Sequence, residues 1–137
     1  MKSFSLVIIR NEFEHRPNKF LLRYDERWEC WLLPYYKNAD VEVLRQCLSD
    51  DLNIDANVII DKGEQVTEKY SPADKRYKTY HHKFYYVLPM LQRCHRLDEF
   101  RVGNLRYKWF SLEDMQANEA IVKINSDVVE VLQKLTY

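Results

Sequence analysis

Two stretches of the chain interleave aromatic side chains with basic ones. The first covers residues 28–37, and the second covers residues 69–85, where tyrosines alternate with lysine, arginine and histidine. Aromatic faces stack on nucleobases while lysine and arginine bind phosphates, so this mixture suits a nucleotide or a single-stranded nucleic acid. Tyrosines also favour strands in general, and lysines protect exposed sheet edges, so the pattern is equally typical of an ordinary exposed sheet. The residues that we predict to contact a ligand are Trp31, Tyr35, Tyr36, Lys37, Arg76, Lys83 and Tyr85.

The composition restricts how such a ligand is held. Only two glycines stand against ten tyrosines in 137 residues. Phosphate-binding loops built from backbone N–H groups usually need glycine, so side chains must do most of the holding. The 21 basic residues balance 21 acidic ones, which argues against a nucleic-acid partner or a membrane surface. We therefore expect a small molecule derived from a nucleotide, with a protein partner as the alternative.

The cysteines and the N-terminal residues indicate the compartment. Cys30, Cys47 and Cys94 lie far apart, without the paired spacing of a zinc site, and their odd number does not suggest a disulfide framework. The apolar run 6–9 is broken by Arg10 and is too short for a signal peptide or a membrane span. We expect reduced thiols, no membrane association and a cytoplasmic protein.

Three further side chains are candidates for chemistry and are assigned structural roles instead. His81 and His82 are neighbours in a predicted strand, so they point to opposite faces and cannot readily bind one metal ion. We expect His82 to be a hydrogen-bonded core histidine and His81 to lie at the surface. Cys47 has no basic partner at helical spacing, so we expect it to fill the core and not to act as a nucleophile.

The spacing of apolar residues predicts the elements that position these side chains. A helix is predicted over residues 40–52, with its buried stripe at Val41, Leu44, Cys47, Leu48 and Leu52. Asp40 is the predicted N-cap, and Asn53 the left-handed residue that ends the helix. Strands are predicted at 4–10, 19–24, 28–33, 58–60, 64–70, 75–90 and 105–110, with a turn at 61–63, a loop at 92–101, and a closing helix capped by Asn125 or Ser126. Residues 1–137 are interpreted as one domain.

This order of elements, with Trp31-x-Leu33-Pro34 before the loop and helix, resembles that of the Nudix hydrolases. The stretch 109–115, where the last strand enters a helical turn, is also similar to Nudix proteins. The signature of the family runs Gly, five residues, Glu, seven residues, Arg-Glu-aliphatic-x-Glu-Glu-x-Gly-aliphatic. Against that signature this chain has Asn38 for the first Glu, Gln46-Cys47 for Arg-Glu, Asp50-Asp51 for Glu-Glu, Asn53 for Gly, and a loop about four residues shorter.

The resemblance implies an α/β fold, namely a Nudix-like α/β/α sandwich with a mixed sheet. In this family the helix carboxylates hold divalent cations, usually Mg²⁺, against a diphosphate. A thiol is a poor magnesium ligand, and each Asp is one methylene shorter than the Glu that it replaces. We therefore predict a degenerate site with no catalytic residue, metal or cofactor. The alternative is an Mg²⁺ site and catalysis at Asp50 and Asp51.

Three functions are compatible with this sequence: a sensor or binding module for a nucleotide derivative, a weak Mg²⁺-dependent hydrolase, and a protein-interaction or structural module. We favour the first of them. Some Nudix-like domains of bacterial defence systems associated with second-messenger nucleotidyltransferases are similar in overall character. In a Nudix-like fold the ligand cleft is expected to have Tyr35, Tyr36 and Lys37 on one wall and the basic side of residues 75–85 on the other.

Overall fold

The computed structural model describes residues 2–71 and 73–136, which form two four-stranded sheets and three helices. In chain order the elements are β1 Lys2–Ile8, β2 Lys19–Asp25, β3 Cys30–Leu32, β4 Tyr35–Lys37, α1 Val41–Leu52, β5 Asp55–Ser71, β6 Arg76–Met90, β7 Glu99–Val102, β8 Leu105–Ser111, α2 Leu112–Ala117 and α3 Glu119–Thr136. The first sheet has the strand order β4-β1-β6-β5, and the second has the order β3-β2-β8-β7. Strand β1 pairs in parallel with β6 and antiparallel with β4, so the first sheet is mixed, as predicted.

The end of β1 is buried on both of its faces and separates two layers of core. Leu6 and Ile8 belong to the cluster that contains residues of α3, whereas Val7 and Ile9 belong to the cluster that contains residues of α1. All four side chains are 5% exposed or less. Because successive side chains of a strand point to opposite faces, each face of the first sheet is covered by one helix. The predicted α/β/α sandwich is confirmed.

Helix α1 begins one residue later than predicted and has both predicted caps. Of the predicted buried stripe, Val41 and Cys47 are only half-buried, so Cys47 does not fill the core as expected. The Asp40 side chain accepts a hydrogen bond from the Val43 N–H, and Asn53 adopts the left-handed conformation with φ 56° and ψ 40°. At the C-terminal end, the Tyr107 hydroxyl donates to the Asp51 carbonyl at 3.0 Å. A ring nitrogen of the buried His95 lies 2.7 Å from the Leu52 carbonyl oxygen. These two side chains fix the end of the helix, and with it the position of Asp51.

Several predicted boundaries need correction. Residues 35–37 form strand β4 rather than a loop, because they pair with residues 4–6 of β1. The predicted strands 58–60 and 64–70 are parts of the single strand β5, and Gly63, with φ 97°, lies in a bulge instead of a turn. Residues 92–101, predicted as a loop, contain a short 3-10 helix, Arg93–Arg96, and part of β7.

Helix α3 begins earlier than predicted and is broken in the middle. The Asn118 side chain accepts a hydrogen bond from the Ile121 N–H at 3.0 Å, so it caps the first turn. Asn125, one of the two predicted caps, has φ −134° and ψ 23°, which are not helical values. The chain is therefore helical before and after Asn125 but not at Asn125 itself. This residue lines the cleft described below. No helix of the described residues is long and apolar enough to cross a membrane.

Replacing Asn53 tests the end of α1. Asn53→Ala should lower the free energy of unfolding by about 1 kcal/mol, because alanine is strained in the left-handed conformation and lacks the short polar side chain by which asparagine offsets that strain. Asn53→Gly should cost nothing or stabilise slightly, because glycine adopts this conformation freely. Urea denaturation of the two variants and the parent measures the difference. Equal stabilities of the Ala and Gly variants would contradict the left-handed cap.

Candidate ligand-binding cleft

An open cleft lies between the first sheet, helix α3 and the segment that joins β2 to β3, with about 650 Å³ of empty space that includes open solvent. Four aromatic side chains contribute to its lining: Phe4, Trp28, Tyr35 and Tyr80. The Phe4 ring meets Tyr35 edge-on at 5.4 Å between centroids and lies 6.0 Å from Tyr80. Trp28 lies 6.3 Å from Tyr80. Aromatic rings of this kind can stack with a planar molecule.

Asp25 positions two of these aromatic residues. One carboxylate oxygen accepts a hydrogen bond from the Trp28 backbone N–H at 2.9 Å, and the other accepts one from the Tyr35 hydroxyl. Burial, together with the contact to Asp25, raises the pKa of Tyr35, so its hydroxyl stays protonated and donates. A single carboxylate at the end of β2 therefore holds both the segment that carries Trp28 and the first residue of β4.

Three basic side chains line the cleft, and only one of them is neutralised inside the protein. The Lys69 amine lies 3.1 Å from an Asp127 carboxylate oxygen and donates to the Asn125 side chain. Burial lowers the pKa of Lys69, an effect that Asp127 opposes. Lys2 and Arg27 make no ion pair with the described residues. The proximity of Lys78 lowers the pKa of Lys2, burial and Arg27 add to the effect, and the carboxylate of Asp74 opposes it. An anionic group would remove this repulsion between like charges.

His82 also lines the cleft, and it differs from the hydrogen-bonded core histidine that was expected. The residue is buried, with 6% of its surface exposed. Its Nδ1 atom has no hydrogen-bond partner among the described residues. The nearby rings are Tyr80 at 6.1 Å and Phe84 at 6.2 Å, neither of which supplies a partner. Burial, assisted by the charge of Lys69, lowers the pKa of His82 to about 4, so the ring is neutral at pH 7.

The predicted site residues are not brought together around this cleft. Of the seven, only Tyr35 lines it. Tyr36 points to the opposite face of β4 and packs against the α1 cluster, and Lys37 is exposed. Strand alternation explains the separation, because neighbouring residues cannot both face one cleft. The expectation that residues 35–37 form a single wall is therefore corrected.

The opposite wall also differs from the expectation. Tyr85 is 5% exposed and lies in the α1 cluster, so Lys83, two residues earlier, is on that same face of β6. The face that lines the cleft carries Tyr80 and His82 instead. Arg76 is exposed at the start of the strand. The sequence predicted that the side chains of β6 alternate between an aromatic face and a basic face. We expected the basic face to line the cleft, whereas the aromatic face does.

Trp31, the seventh predicted residue, lies outside the cleft. It packs against the α3 cluster, with Phe110 5.7 Å and Tyr24 5.4 Å away. The Arg106 guanidinium lies 5.3 Å from the centre of the indole ring. Trp28 is the aromatic residue of this segment that lines the cleft. The sequence placed Trp28 within the aromatic and basic stretch but gave no reason to prefer it to Trp31.

A second group of polar side chains lies at the C-terminal end of α1, where the resemblance implied an Mg²⁺ site. The Tyr36 hydroxyl donates to an Asp51 carboxylate oxygen at 2.8 Å and accepts from the Arg23 guanidinium at 3.1 Å. The same guanidinium lies 3.8 Å from the Asp51 carboxylate. Burial raises the pKa of Tyr36, although Arg23 opposes this. We call Arg23, Tyr36 and Asp51 the helix-end cluster.

The helix-end cluster does not fit a magnesium ion. A guanidinium already balances the charge of Asp51, and a cation bound there would have to displace or approach it. Asp50 is exposed and accepts a hydrogen bond from the Gln46 side chain at 2.9 Å. Burial, with Asp51 and Asp50 nearby, raises the pKa of the Cys47 thiol, which disfavours the thiolate. The described residues contain no group of three histidine, cysteine, aspartate or glutamate side chains able to hold a metal ion.

The low pKa of His82 predicts a loss of stability in acid. The unfolded chain takes up a proton near pH 6.5, whereas the folded protein resists protonation down to about pH 4. The free energy of unfolding should therefore fall as the pH drops through this window, by at most about 3 kcal/mol from this residue. Urea denaturation between pH 7.5 and pH 4 measures the fall. The His82→Phe variant should show a shallower one, and identical slopes would contradict the assignment.

The helix-end cluster predicts unequal roles for the two neighbouring aspartates. Asp51→Asn should lower the free energy of unfolding by about 1 kcal/mol, because Arg23, whose side chain is 15% exposed, loses its carboxylate. Asp50→Asn is the matched control and should leave stability unchanged or slightly higher, since a negative charge at a helix C-terminus is unfavourable. Denaturation at low and high salt measures both. Equal effects of the two changes would show that the contact with Arg23 contributes nothing.

Comparison with known structures identifies the fold. No protein-family model and no curated protein matches the sequence. The Nudix domain of NrtR from Shewanella oneidensis, complexed with ADP ribose, matches over 98% of this chain and 88% of that chain, with 14% identity and a TM-score of 0.65. The C. elegans Ap4A hydrolase matches over 99% and 96%, with 14% identity and a TM-score of 0.58. A MutT structure from work on Aliivibrio salmonicida and Vibrio cholerae matches over 94% and 92%, with 16% identity and a TM-score of 0.59. We conclude that this chain has a Nudix-like fold.

Proposed function

We propose that this protein is a binding domain for a nucleotide derivative and acts as a sensor rather than as a hydrolase. The observation that carries the proposal is the composition of the cleft, in which aromatic rings lie beside the unpaired basic residues Lys2 and Arg27. Among the described residues, no aspartate or glutamate lines it. An aromatic base stacks on such rings, and an anionic phosphate is attracted by such cations.

The structural neighbours support this ligand class. The NrtR domain with the same fold is complexed with ADP ribose, and another neighbour is an Ap4A hydrolase. At 14% sequence identity, these neighbours establish a common fold but not a common ligand. The ligand class is therefore proposed from the residues that line the cleft, with the structural similarity as support. We propose that the protein acts in the cytoplasm, where nucleotide derivatives are abundant. A bacterial second-messenger nucleotide is one specific ligand that the proposal includes.

The sensor role is favoured over hydrolysis by the state of the carboxylates. Asp51 is engaged with Tyr36 and Arg23, and Asp50 with Gln46. Attack of water on a diphosphate in the Nudix manner needs metal-bound oxygen ligands at short and rather fixed distances. Hydrolysis at Asp50 and Asp51 therefore requires the helix-end cluster to be rearranged first.

A thermal-shift screen tests the proposal, with AMP, ADP-ribose, dinucleotides and cyclic oligonucleotides as probes, each with and without Mg²⁺. A probe at about a hundred times its dissociation constant should add about 2.7 kcal/mol to the stability of the folded protein. We expect at least one probe to bind without Mg²⁺ and without being consumed. Trp28→Ala should weaken its binding by about 1 to 3 kcal/mol through loss of a stacked ring. Tyr77→Ala is the control, because Tyr77 is 68% exposed and outside the cleft.

Two outcomes would overturn the proposal. If no probe shifts the melting temperature, the fold is more simply explained as a protein-interaction or structural module. If a probe is hydrolysed in the presence of Mg²⁺, and Asp50→Asn and Asp51→Asn abolish the turnover, the protein is a hydrolase. Equal binding by the Trp28→Ala and Tyr77→Ala variants would place the ligand somewhere other than the cleft.

A further inference from the structure

The unpartnered nitrogen of His82 is the feature of the cleft that the proposed function does not yet use. Only 6% of the surface of His82 is exposed, and the residue lines the cleft. Buried polar atoms in folded proteins are nearly always hydrogen-bonded, and leaving one unpaired is costly. The Nδ1 atom nevertheless has no partner among the described residues. The fold thus keeps an unsatisfied nitrogen in a side chain that lines an open cleft, and in the unliganded structure that nitrogen is covered from solvent.

The polar side chains nearby are already engaged with one another. The Lys69 amine contacts Asp127 and donates to Asn125. The second carboxylate oxygen of Asp127 accepts from the Gln65 amide at 3.1 Å. The remaining ring neighbours of His82 are Tyr80 and Phe84, which pack by their ring systems. A partner for Nδ1 is therefore expected from the contents of the cleft and not from the chain itself.

We infer that His82 is the specificity-determining residue of the cleft, and that its Nδ1, once the ring turns towards the ligand, forms a hydrogen bond with the uncharged polar edge of a nucleobase. This inference rests on the proposed function. The imidazole is neutral at pH 7, so it offers a phosphate no charge, whereas it can pair with a ring nitrogen or an exocyclic group of a base. Lys2 and Arg27 supply the positive charge for the anionic part of the same ligand.

The register of the sheet orders these contacts along the cleft. Lys2 lies beside Tyr80, and Phe4 lies beside His82, in the parallel pairing of β1 with β6. Two residues along a strand span about 6.5 Å. Lys2 is thus two residues along the strand direction from the position of the His82 imidazole. A ligand with its base at His82 would extend its anionic group towards Lys2.

The test uses His82→Phe, which keeps an aromatic ring and removes both nitrogens. The unliganded variant should melt at the same temperature as the parent or higher at pH 7.5, because an unpaired buried polar atom has been removed. Its affinity for AMP should fall roughly three- to tenfold, the value of one neutral hydrogen bond. Its affinity for ribose 5-phosphate, which lacks the base, should not change. His82→Asn, whose amide can place a polar atom near the Nδ1 position, should recover part of the AMP affinity.

His81→Phe is the matched control. His81 lies on the other face of β6, where its Nε2 is 2.8 Å from a Glu64 oxygen, so its replacement should leave AMP affinity unchanged. The ¹⁵N chemical shift of the His82 Nδ1 should also move when AMP is added to the parent.

Three results would count against the inference, and they are distinguishable. A large drop in the melting temperature of unliganded His82→Phe would show that the imidazole is hydrogen-bonded within the fold. Parental AMP binding by His82→Phe would overturn the role of His82 while leaving the proposed function intact. Absence of any nucleotide binding by the parent protein would overturn the proposed function, and this inference with it.

Discussion

The parallel pairing of β1 with β6 is the constraint on which the rest of the structure depends. The register sets Phe4 beside His82 and Ser5 beside Lys83. Because side chains alternate along a strand, the first pair faces the cleft and the second pair faces the side covered by α1. Each of the two strands therefore contributes side chains both to the cleft and to the core beneath α1. A shift of the register by one residue would move the aromatic lining into the α1 core and the lysine into the cleft.

The same alternation separates the charges of the protein into two local arrangements. On the α1 side, the helix-end cluster balances Asp51 with Arg23. On the cleft side, Asp127 balances Lys69, while Lys2 and Arg27 form no ion pair with the described residues and Asp74, the carboxylate that attracts Lys2, is paired with Lys78. The 21 basic and 21 acidic residues cancel in the whole chain, so net charge conceals this local excess. A binding site for a small anion needs only such a local excess, whereas a nucleic-acid surface needs an extended one.

The sequence predicted best the features that are set by neighbouring residues. Helix α1 was predicted with both caps because Asp40 and Asn53 act within one turn of the helix. Strand β4 was missed because residues 35–37 become a strand only through pairing with β1. The bulge at Gly63 was predicted as a turn because a turn and a bulge can both contain a residue with positive φ. Pairing with the 15-residue strand β6 on both sides of Gly63 makes it a bulge. The predicted binding residues of β6, Lys83 and Tyr85, lie on the face covered by α1, and the cleft borders the other face. Which face stays open depends on where α1 packs, a long-range property that charge patterning does not report.

The cleft carries costs in the unliganded protein, although such costs also occur elsewhere: Arg10 Nε and Asn11 Nδ2, between β1 and β2, are buried without hydrogen-bond partners among the described residues. The imidazole of His82 lacks a partner for one nitrogen, Lys2 lies close to the cations Lys78 and Arg27, and α3 is interrupted at Asn125. Departures of this kind tend to cluster where a protein binds or reacts, because a ligand can compensate them there. In the proposed complex a nucleotide derivative would compensate two of them, since its anionic group would face the cations and its base edge would supply the missing hydrogen bond. The helix-end cluster is the contrasting case, because its cation, hydroxyl and carboxylate satisfy one another and gain nothing from a ligand. The unsatisfied groups of the cleft therefore support the proposal that the ligand binds there, whereas the end of α1 offers a ligand no comparable compensation.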